Sequence, residues 1–309
     1  MLAAVGVGVA GTAAFEYASF RGAFDHRSLP GPARPGSFRE ARDAAGGDGD
    51  ADWLFHVGHS THVITLGGVR FLTDPWFYDP AFGAMKHEVG PACAPSEMDI
   101  HALLISHDHA DHCDEKALDE MAKSTPCFVG TPALAAKLKR LGFTEVSVLG
   151  TWESARVQGV EVHAVTAIHD VPEIGFVLRS PSSPSAAGAT LSVYFAGDSA
   201  LHPDLERIAE EFAPAVSILP VDGTRLRGDA LRVMRPEDAV EAARRLKSAT
   251  LLPSHAEARF YDPIAKHVLT ENIEGANQKF AALMRSALPE REVRVPAPGD
   301  RVLLRDHLG

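Results

Sequence analysis

The sequence predicts an α/β fold, and two observations carry the prediction. From Trp53 onward, short apolar runs of strand length alternate with stretches whose apolar residues recur at helical spacing. The chemically distinctive residues fall just past the ends of the apolar runs, where open α/β sheets gather functional groups. At 309 residues the chain can bury a large core, and 45% hydrophobic with 23% charged residues is an ordinary globular balance.

The elements follow in order. Trp53 to Val57, His62 to Leu66 and Val69 to Thr73 read as strands, the last two joined by Gly67-Gly68. Two glycines between apolar runs signal a hairpin, because both can take positive φ. The apolar run Ala102 to Ile105 leads into the polar segment discussed below. Asp114 is placed as an N-cap, with Leu118, Met121 and Ala122 on the helix it opens. Thr131-Pro132 caps the next helix, which carries Leu134, Leu138 and Leu141 inward and stops at Gly142. Ser147 to Leu149, Val160 to Val165, Gly175 to Leu178 and Leu191 to Ala196 read as strands, and Ser180 to Ser185 as an exposed loop tip. Leu205, Ile208, Ala209 and Phe212 repeat at i, i+3, i+4, i+7. Pro236 opens a helix with Ala239, Val240, Ala243 and Leu246 inward, and a final helix aligns Ile273, Ala276, Phe280 and Leu283. Each stripe is core by default.

Two units are expected. Residues 1–52 read as an apolar N-terminal tail followed by a Pro/Gly-rich extension, and residues 53–309 as one domain. Met1 to Phe15 carries no charge, falls short of the about 20 apolar residues a bilayer span needs, and has no Lys or Arg ahead of it. It reads as a docked tail of a cytoplasmic protein. A start further upstream would make it part of an export signal or an anchor, and membrane contact is expected only through this segment. Pro30 to Asp52 reads as a linker that buries little. The formal charge of −11 argues against nucleic-acid partners, which require clustered Lys and Arg. Three cysteines (Cys93, Cys113, Cys127) without Cys-x-x-Cys spacing argue against both a disulfide scaffold and a thiolate zinc knot. Cys113 reads as a half-buried helix-opening residue.

The most informative segment is His107-Asp108-His109-Ala110-Asp111-His112. Three imidazoles and a carboxylate at this spacing are costly to bury unpaired, and they are the donors zinc and similar ions prefer. His107 and His109, two apart, point to one side of an extended backbone and can share an ion. Asp111 and His112 can face a second. His169, Asp198 and His255 each follow an apolar run: His169 would complete the first site, His255 the second, and Asp198 can bridge. Taken singly, a histidine past a strand is as readily a hydrogen-bonded structural residue. Two divalent ions are therefore expected, zinc first, with manganese or iron as alternatives. His59 and Asp74 are placed behind the ligands as groups that orient them. Asp111 would both bind metal and orient a hydroxide, with His202 a proton donor or simply a helix-start residue. Arg225 and Arg227 would clamp an anionic substrate or stand as solvated loop arginines.

This residue set (His107-x-His109-x-Asp111-His112, His169, Gly197-Asp198-Ser199, Ser254-His255) resembles the metallo-β-lactamase superfamily. The resemblance implies a four-layer αββα sandwich with a dinuclear metal site at one edge of its two sheets. Gly58-His59-Ser60-Thr61, Leu72-Thr73-Asp74-Pro75 and Met234-x-Pro236-Glu237-Asp238-Ala239 are similar to the branch containing N-acylphosphatidylethanolamine phospholipase D and ascorbate-6-phosphate lactonase. The expected activity is hydrolysis of an ester-like bond (phosphodiester, lactone or carboxylic ester) of a small or lipid-like substrate. A non-catalytic metal-binding scaffold on the same fold is the alternative from another class, and an oxygen-reducing diiron enzyme is a further option among enzymes.

Overall fold

Strands buried on both faces need side chains that alternate between two separate apolar layers, and the strands of this chain show that alternation. The computed structural model describes residues 37–44, 52–180, 190–228, 233–261, 264, 266, 268 and 270–304. In chain order the strands are β1 (Trp53–Gly58), β2 (Thr61–Leu66), β3 (Val69–Thr73), β4 (Met85–His87), β5 (Ala102–Ile105) and β6 (Cys127–Val129). There follow β7 (Val146–Val148), β8 (Ser154–Val157), β9 (Val160–Thr166), β10 (Ile174–Ser180), β11 (Leu191–Phe195) and β12 (Val216–Pro220). The last six are β13 (Arg225–Leu226), β14 (Thr250–Ser254), β15 (Ala258–Phe260), β16 (Thr270–Glu271), β17 (Glu292–Val293) and β18 (Arg301–Leu303). The helices are α1 (Ser37–Ala44), α2 (Glu115–Glu120), α3 (Pro132–Arg140), α4 (Leu205–Phe212), α5 (Pro236–Leu246) and α6 (Ala276–Ala287).

Two seven-stranded sheets result, ordered β18-β1-β2-β3-β5-β6-β7 and β17-β14-β12-β11-β10-β9-β8. Leu54, Ile64, Phe71 and Leu104 of the first sheet join Val162, Phe176, Val193 and Ile218 of the second in one core between them. The alternate residues Phe55, Leu72, Leu103 and Ile105 face outward and pack with Phe38, Leu118, Leu134 and Leu138 of α1 to α3. On the far side Val177, Tyr194 and Leu219 pack with Leu205, Ile208, Ala239 and Phe280 of α4 to α6. The layers are therefore α, β, β, α, the sandwich that the resemblance implies.

Strand direction decides where the site forms. β1 and β3 each pair antiparallel with β2, and β3 runs parallel to β5, so all three end on one edge. In the second sheet β9 and β11 each pair antiparallel with β10, and β11, β12 and β14 run parallel. Seven strand ends thus deliver their following residues to one crevice.

Local chemistry explains the element ends. Gly67 and Gly68 have φ 57° and 82°, as the hairpin joining β2 to β3 requires. Asp114 caps α2, its Oδ1 accepting from the Lys116 and Ala117 amides while Oδ2 accepts from the Phe77 and Tyr78 amides at 3.0 and 2.8 Å. Thr131 caps α3 by accepting from the Leu134 amide at 3.2 Å, with Pro132 at N1.

Some expectations need correcting. α2 stops at Glu120, so Met121 is its C-cap and Ala122 lies beyond it. α6 starts at Ala276: Gly275 is its left-handed N-cap, and the Ile273 amide instead donates to Asp222 O at 2.8 Å. The segment read as a linker contains α1, whose Phe38 is fully buried with its ring edge-on to Phe55 at 5.5 Å. β4, β6, β8, β12, β13 and β15 to β18 were not expected. The tail 1–36 and residues 181–185 of the loop tip lie outside the described residues. Among those described, no helix is long and apolar enough to cross a membrane.

Candidate metal centre

The loop after β5 turns back on itself, and its hydrogen bonds place the four polar side chains. The amides of His112 and Cys113 both donate to His109 O, at 3.0 and 2.8 Å, closing one tight turn. His107, Asp111 and His112 are buried, while His109 stands half-buried at the rim. His107, His109 and His169 bring their donor atoms within 4.8 Å of one another, with His109 Nδ1 and His169 Nε2 3.3 Å apart. A second group joins Asp111, His112 and His255 with His59. Asp198 Oδ2 lies between the groups, 2.9 Å from His255 Nε2, 3.1 Å from His112 Nε2 and 4.0 Å from His107 Nε2. Seven candidate ligands from four distant segments meet in one place.

A divalent-ion site should show buried donor atoms with nothing else to bind. His107 Nε2, His112 Nε2, Asp111 Oδ1 and Asp198 Oδ1 are all buried without a hydrogen-bond partner, although buried polar atoms are ordinarily satisfied. His112 Nε2 lies 3.1 Å from Asp198 Oδ2, so the two candidate ligands border the same gap. Imidazole nitrogen and carboxylate oxygen gathered around a common gap are a donor set that fits divalent cations.

Carboxylates behind the histidines decide which ring nitrogen faces inward. Asp74 Oδ2 accepts from His112 Nδ1 at 2.8 Å and from the Ser106 hydroxyl at 2.7 Å, while its Oδ1 accepts from the Ser106 amide at 2.7 Å. Asp222 accepts from His255 Nδ1 at 3.0 Å. His107 Nδ1 lies 2.9 Å from Ser106 Oγ and 3.1 Å from Glu173 Oε1. With Nδ1 engaged, Nε2 of each ring is left for the site. Asp74 thus sits where the sequence placed it. Ser106, Glu173 and Asp222 escaped sequence reasoning; Asp222 carried the same signal as Asp198, a carboxylate just past a strand. His59 Nε2 lies 3.4 Å from Asp111 Oδ2 without a hydrogen bond of good geometry.

Electrostatics divide the histidines. Burial, reinforced by His112, pushes His107 down to about 3, and burial with His107 nearby pushes His109 down to about 4. Burial also opposes charge on His112 and His255, but Asp198 and the neighbouring carboxylates outweigh it and hold both well above the usual range. His169, likewise buried, is raised to about 8 by Asp170 and Asp198. Asp111 and Asp198 stay ionised well below the ordinary carboxylate range, because His112 and its neighbours outweigh burial. Glu173 is fully buried, which raises it to about 7.

A cavity of about 570 Å³ opens onto Asp111, Asp198, His109, His169 and His255. Phe82, Met85, Leu226, Val233 and Phe260 give it an apolar wall, and Arg225 and Lys137 are the cations among its described lining residues. Both are engaged: Lys137 with Asp108 at 2.6 Å and Glu115 at 3.1 Å, Arg225 with Glu271 at 2.6 Å. Arg227 pairs with the same Glu271 but does not line the cavity, so the two arginines are not a clamp on one ligand. His202 is buried outside the cavity lining, just ahead of α4, which matches a helix-start residue and gives no direct path to a leaving group. Cys113 lines the cavity, but burial pushes its thiol up to about 12 and keeps it protonated.

With this geometry in place, residues 54–255 match the β-lactamase superfamily domain. The chain belongs to the metallo-β-lactamase superfamily. This superfamily member is 30% identical over 205 residues to a protein of Pyrobaculum calidifontis named a metal-dependent hydrolase, a match covering 64% of this chain and 81% of the relative. It is 29% identical over 252 residues to a metal-dependent hydrolase of Myxococcus xanthus, covering 77% and 81%. Its fold is similar to a solved structure described as a possible metal-dependent hydrolase from Veillonella parvula, with TM-score 0.66, 19% identity, and 82% and 100% of the two chains covered.

Proposed function

We propose that this superfamily member is a dinuclear metal-dependent hydrolase that cleaves an ester-like bond of a small substrate with an apolar portion. The observation that carries the reading is the convergence of seven donor side chains, several with buried atoms that bind nothing else. Its membership of the metal-dependent hydrolases rests on the family and on the names its relatives carry.

His107, His109 and His169 would hold one ion and Asp111, His112 and His255 the other, with Asp198 shared. Bound there, divalent ions (zinc first) would lower the pKa of a water and polarise the scissile carbonyl or phosphoryl group. The chain's own residues do the rest. Asp74 and Asp222 fix the tautomers of His112 and His255, so that each presents a lone pair inward. Asp111 Oδ2 lies 3.5 Å from both His112 Nε2 and His255 Nε2, placed to receive a proton at the face of the cavity. The apolar wall would take the alkyl or aryl part of the substrate and exclude water, which strengthens every charge interaction inside. Arg225, steered by Glu271, would meet the polar end of the substrate.

The test is elemental analysis of the purified protein beside a panel of carboxylic esters, lactones and phosphodiesters. His107→Ala is expected to lose metal from the first site and nearly all activity, with far-UV circular dichroism unchanged. Hydrolysis at the original rate by a metal-free preparation would refute the reading.

A further inference from the structure

We infer that His59 is an additional metal ligand, a further nitrogen donor to the cation held by Asp111, His112 and His255. The inference rests on the dinuclear reading above and adds a residue outside the expected ligand set. His59 lies in the turn after β1, 1% exposed, and neither of its ring nitrogens has a hydrogen-bond partner. A buried imidazole with both nitrogens unpaired is costly, and something else must satisfy it. Its Nε2 is 3.4 Å from Asp111 Oδ2, much as His112 Nε2 and His255 Nε2 are each 3.5 Å from that same oxygen. Three imidazole nitrogens thus surround one carboxylate oxygen at matching distances, all within 4.8 Å of one another. Donors about 2.0–2.1 Å from a shared zinc ion stand roughly 3–4 Å apart, the range of the three contacts to Asp111 Oδ2.

The surroundings hold the ring in that direction. His59 adopts φ 56°, an uncommon conformation for a residue other than glycine. The Glu257 carboxylate accepts from its amide at 3.1 Å and binds His56 Nε2 at 2.7 Å, fixing the turn from outside the site. Trp76 stands edge-on to the ring at 5.0 Å, and the His255 ring lies 4.2 Å away on another side. The ring is therefore walled in, with its Nε2 beside the second group of donors. The two ions then differ: the first has His107, His109, His169 and a share of Asp198, and the second has one donor more.

The decisive experiment loads the unmodified chain, labelled with 15N-histidine, with cadmium-113 and reads nitrogen–cadmium coupling by NMR, assigning His59 through its backbone amide. The expected result is a one-bond coupling at a His59 ring nitrogen. Two bound cadmium ions with no coupling at His59 would overturn the inference while leaving the dinuclear reading intact. Fewer than two bound ions would overturn both. In chelator competition, His59→Gln and His59→Ala are expected to weaken one ion by more than the roughly 10–100-fold that a supporting residue costs, and to spare the other. Unchanged affinity for both ions in a folded variant would count against His59.

Discussion

Replacing Asp74 by Asn tests how much of the centre depends on a single buried carboxylate. The side chain is fully buried and receives three hydrogen bonds, two from Ser106 and one from His112 Nδ1. Asparagine keeps the volume and tolerates the left-handed backbone at φ 36°. If its oxygen stays on the Ser106 amide, its NH2 group replaces Oδ2, the atom His112 needs. A donor facing Nδ1 favours the other tautomer, with Nδ1 accepting and Nε2 protonated, and a protonated nitrogen cannot bind a metal ion. The expected cost at the second ion is about 10–100-fold in affinity, or roughly 1.4–2.8 kcal/mol. The fold suffers separately, by about 1–3 kcal/mol for buried groups left badly paired. Chelator competition reads the first effect, and denaturant unfolding of the metal-free protein reads the second. Asp74→Asn with original affinity at both ions would refute the tautomer argument. An equal loss at both ions would also do so, because the first ion's ligands do not bond to Asp74 directly.

Four further outcomes are expected. Metal uptake at pH 7 should release protons, since His112, His169 and His255 are held above their ordinary range and must lose a proton to bind; calorimetry in buffers of differing ionisation enthalpy counts them, and zero release would contradict the assignment. The same shift has a sign in stability: His169, raised from 6.5 to about 8, supports the metal-free fold fully below pH 6.5, and that support is lost as pH rises through 8. Phe38→Ala should cost about 3 kcal/mol in denaturant unfolding, because the ring is fully buried among Trp53 and Phe55; a loss below about 0.5 kcal/mol, the surface value, would show that α1 adds nothing to the folded unit. Glu271→Gln should release Arg225 towards the cavity and lower KM for an anionic ester relative to its neutral analogue; parallel changes for both would remove Arg225 from substrate recognition.

The legibility of this site follows from where its chemistry lies. His107, His109, Asp111 and His112 are adjacent in sequence, and His169, Asp198 and His255 each stand past a long apolar run, so spacing alone suggested a common crevice. Asp222 was missed because β12, Val216 to Pro220, was not read as a strand, although its apolar run precedes a carboxylate just as β11 precedes Asp198. Pro253 in β14 shows how this sheet accommodates a proline within a strand. It pairs with Leu219 on one side, while β17 reaches only Thr250 and Leu251 on the other, so its missing amide donor faces no neighbour. Glu173 gave no signal in sequence, since only the closeness of β10 to the β5 loop brings it behind His107. α1 was masked by its Pro- and Gly-rich flanks, although Phe38 alone supplies an apolar anchor. The helical stripe was extended too far back at Ile273, where the side chain does join the core but the backbone has not yet begun to coil.

The backbone at three of these positions explains why spacing could suggest the ligands but not the geometry. His59, Asp74 and His255 all have φ between 36° and 59°, and each lies at the end of a strand (β1, β3 and β14). A residue leaving an extended strand ordinarily points at one face of the sheet or the other; the left-handed turn redirects the side chain past the sheet edge within a single step. That conformation costs about 1–3 kcal/mol for a residue other than glycine and survives only where neighbours enforce it. Here they do. Glu257 holds the His59 amide, Leu104 O accepts from the Asp74 amide at 3.0 Å, and Ser254 O, beside His255, accepts from Val221 N at 3.2 Å. Glycine would relieve the strain at each position but carry no side chain to the crevice. The same backbone region is also used outside the donor cluster, at Phe82, Trp152, Gln158, Ala213 and Lys247, but at these three positions it aims a side chain into the crevice: the His59 turn is held by Glu257 from the loop after β14, and the Asp74 and Ser254–His255 turns by neighbouring strands of their own sheets.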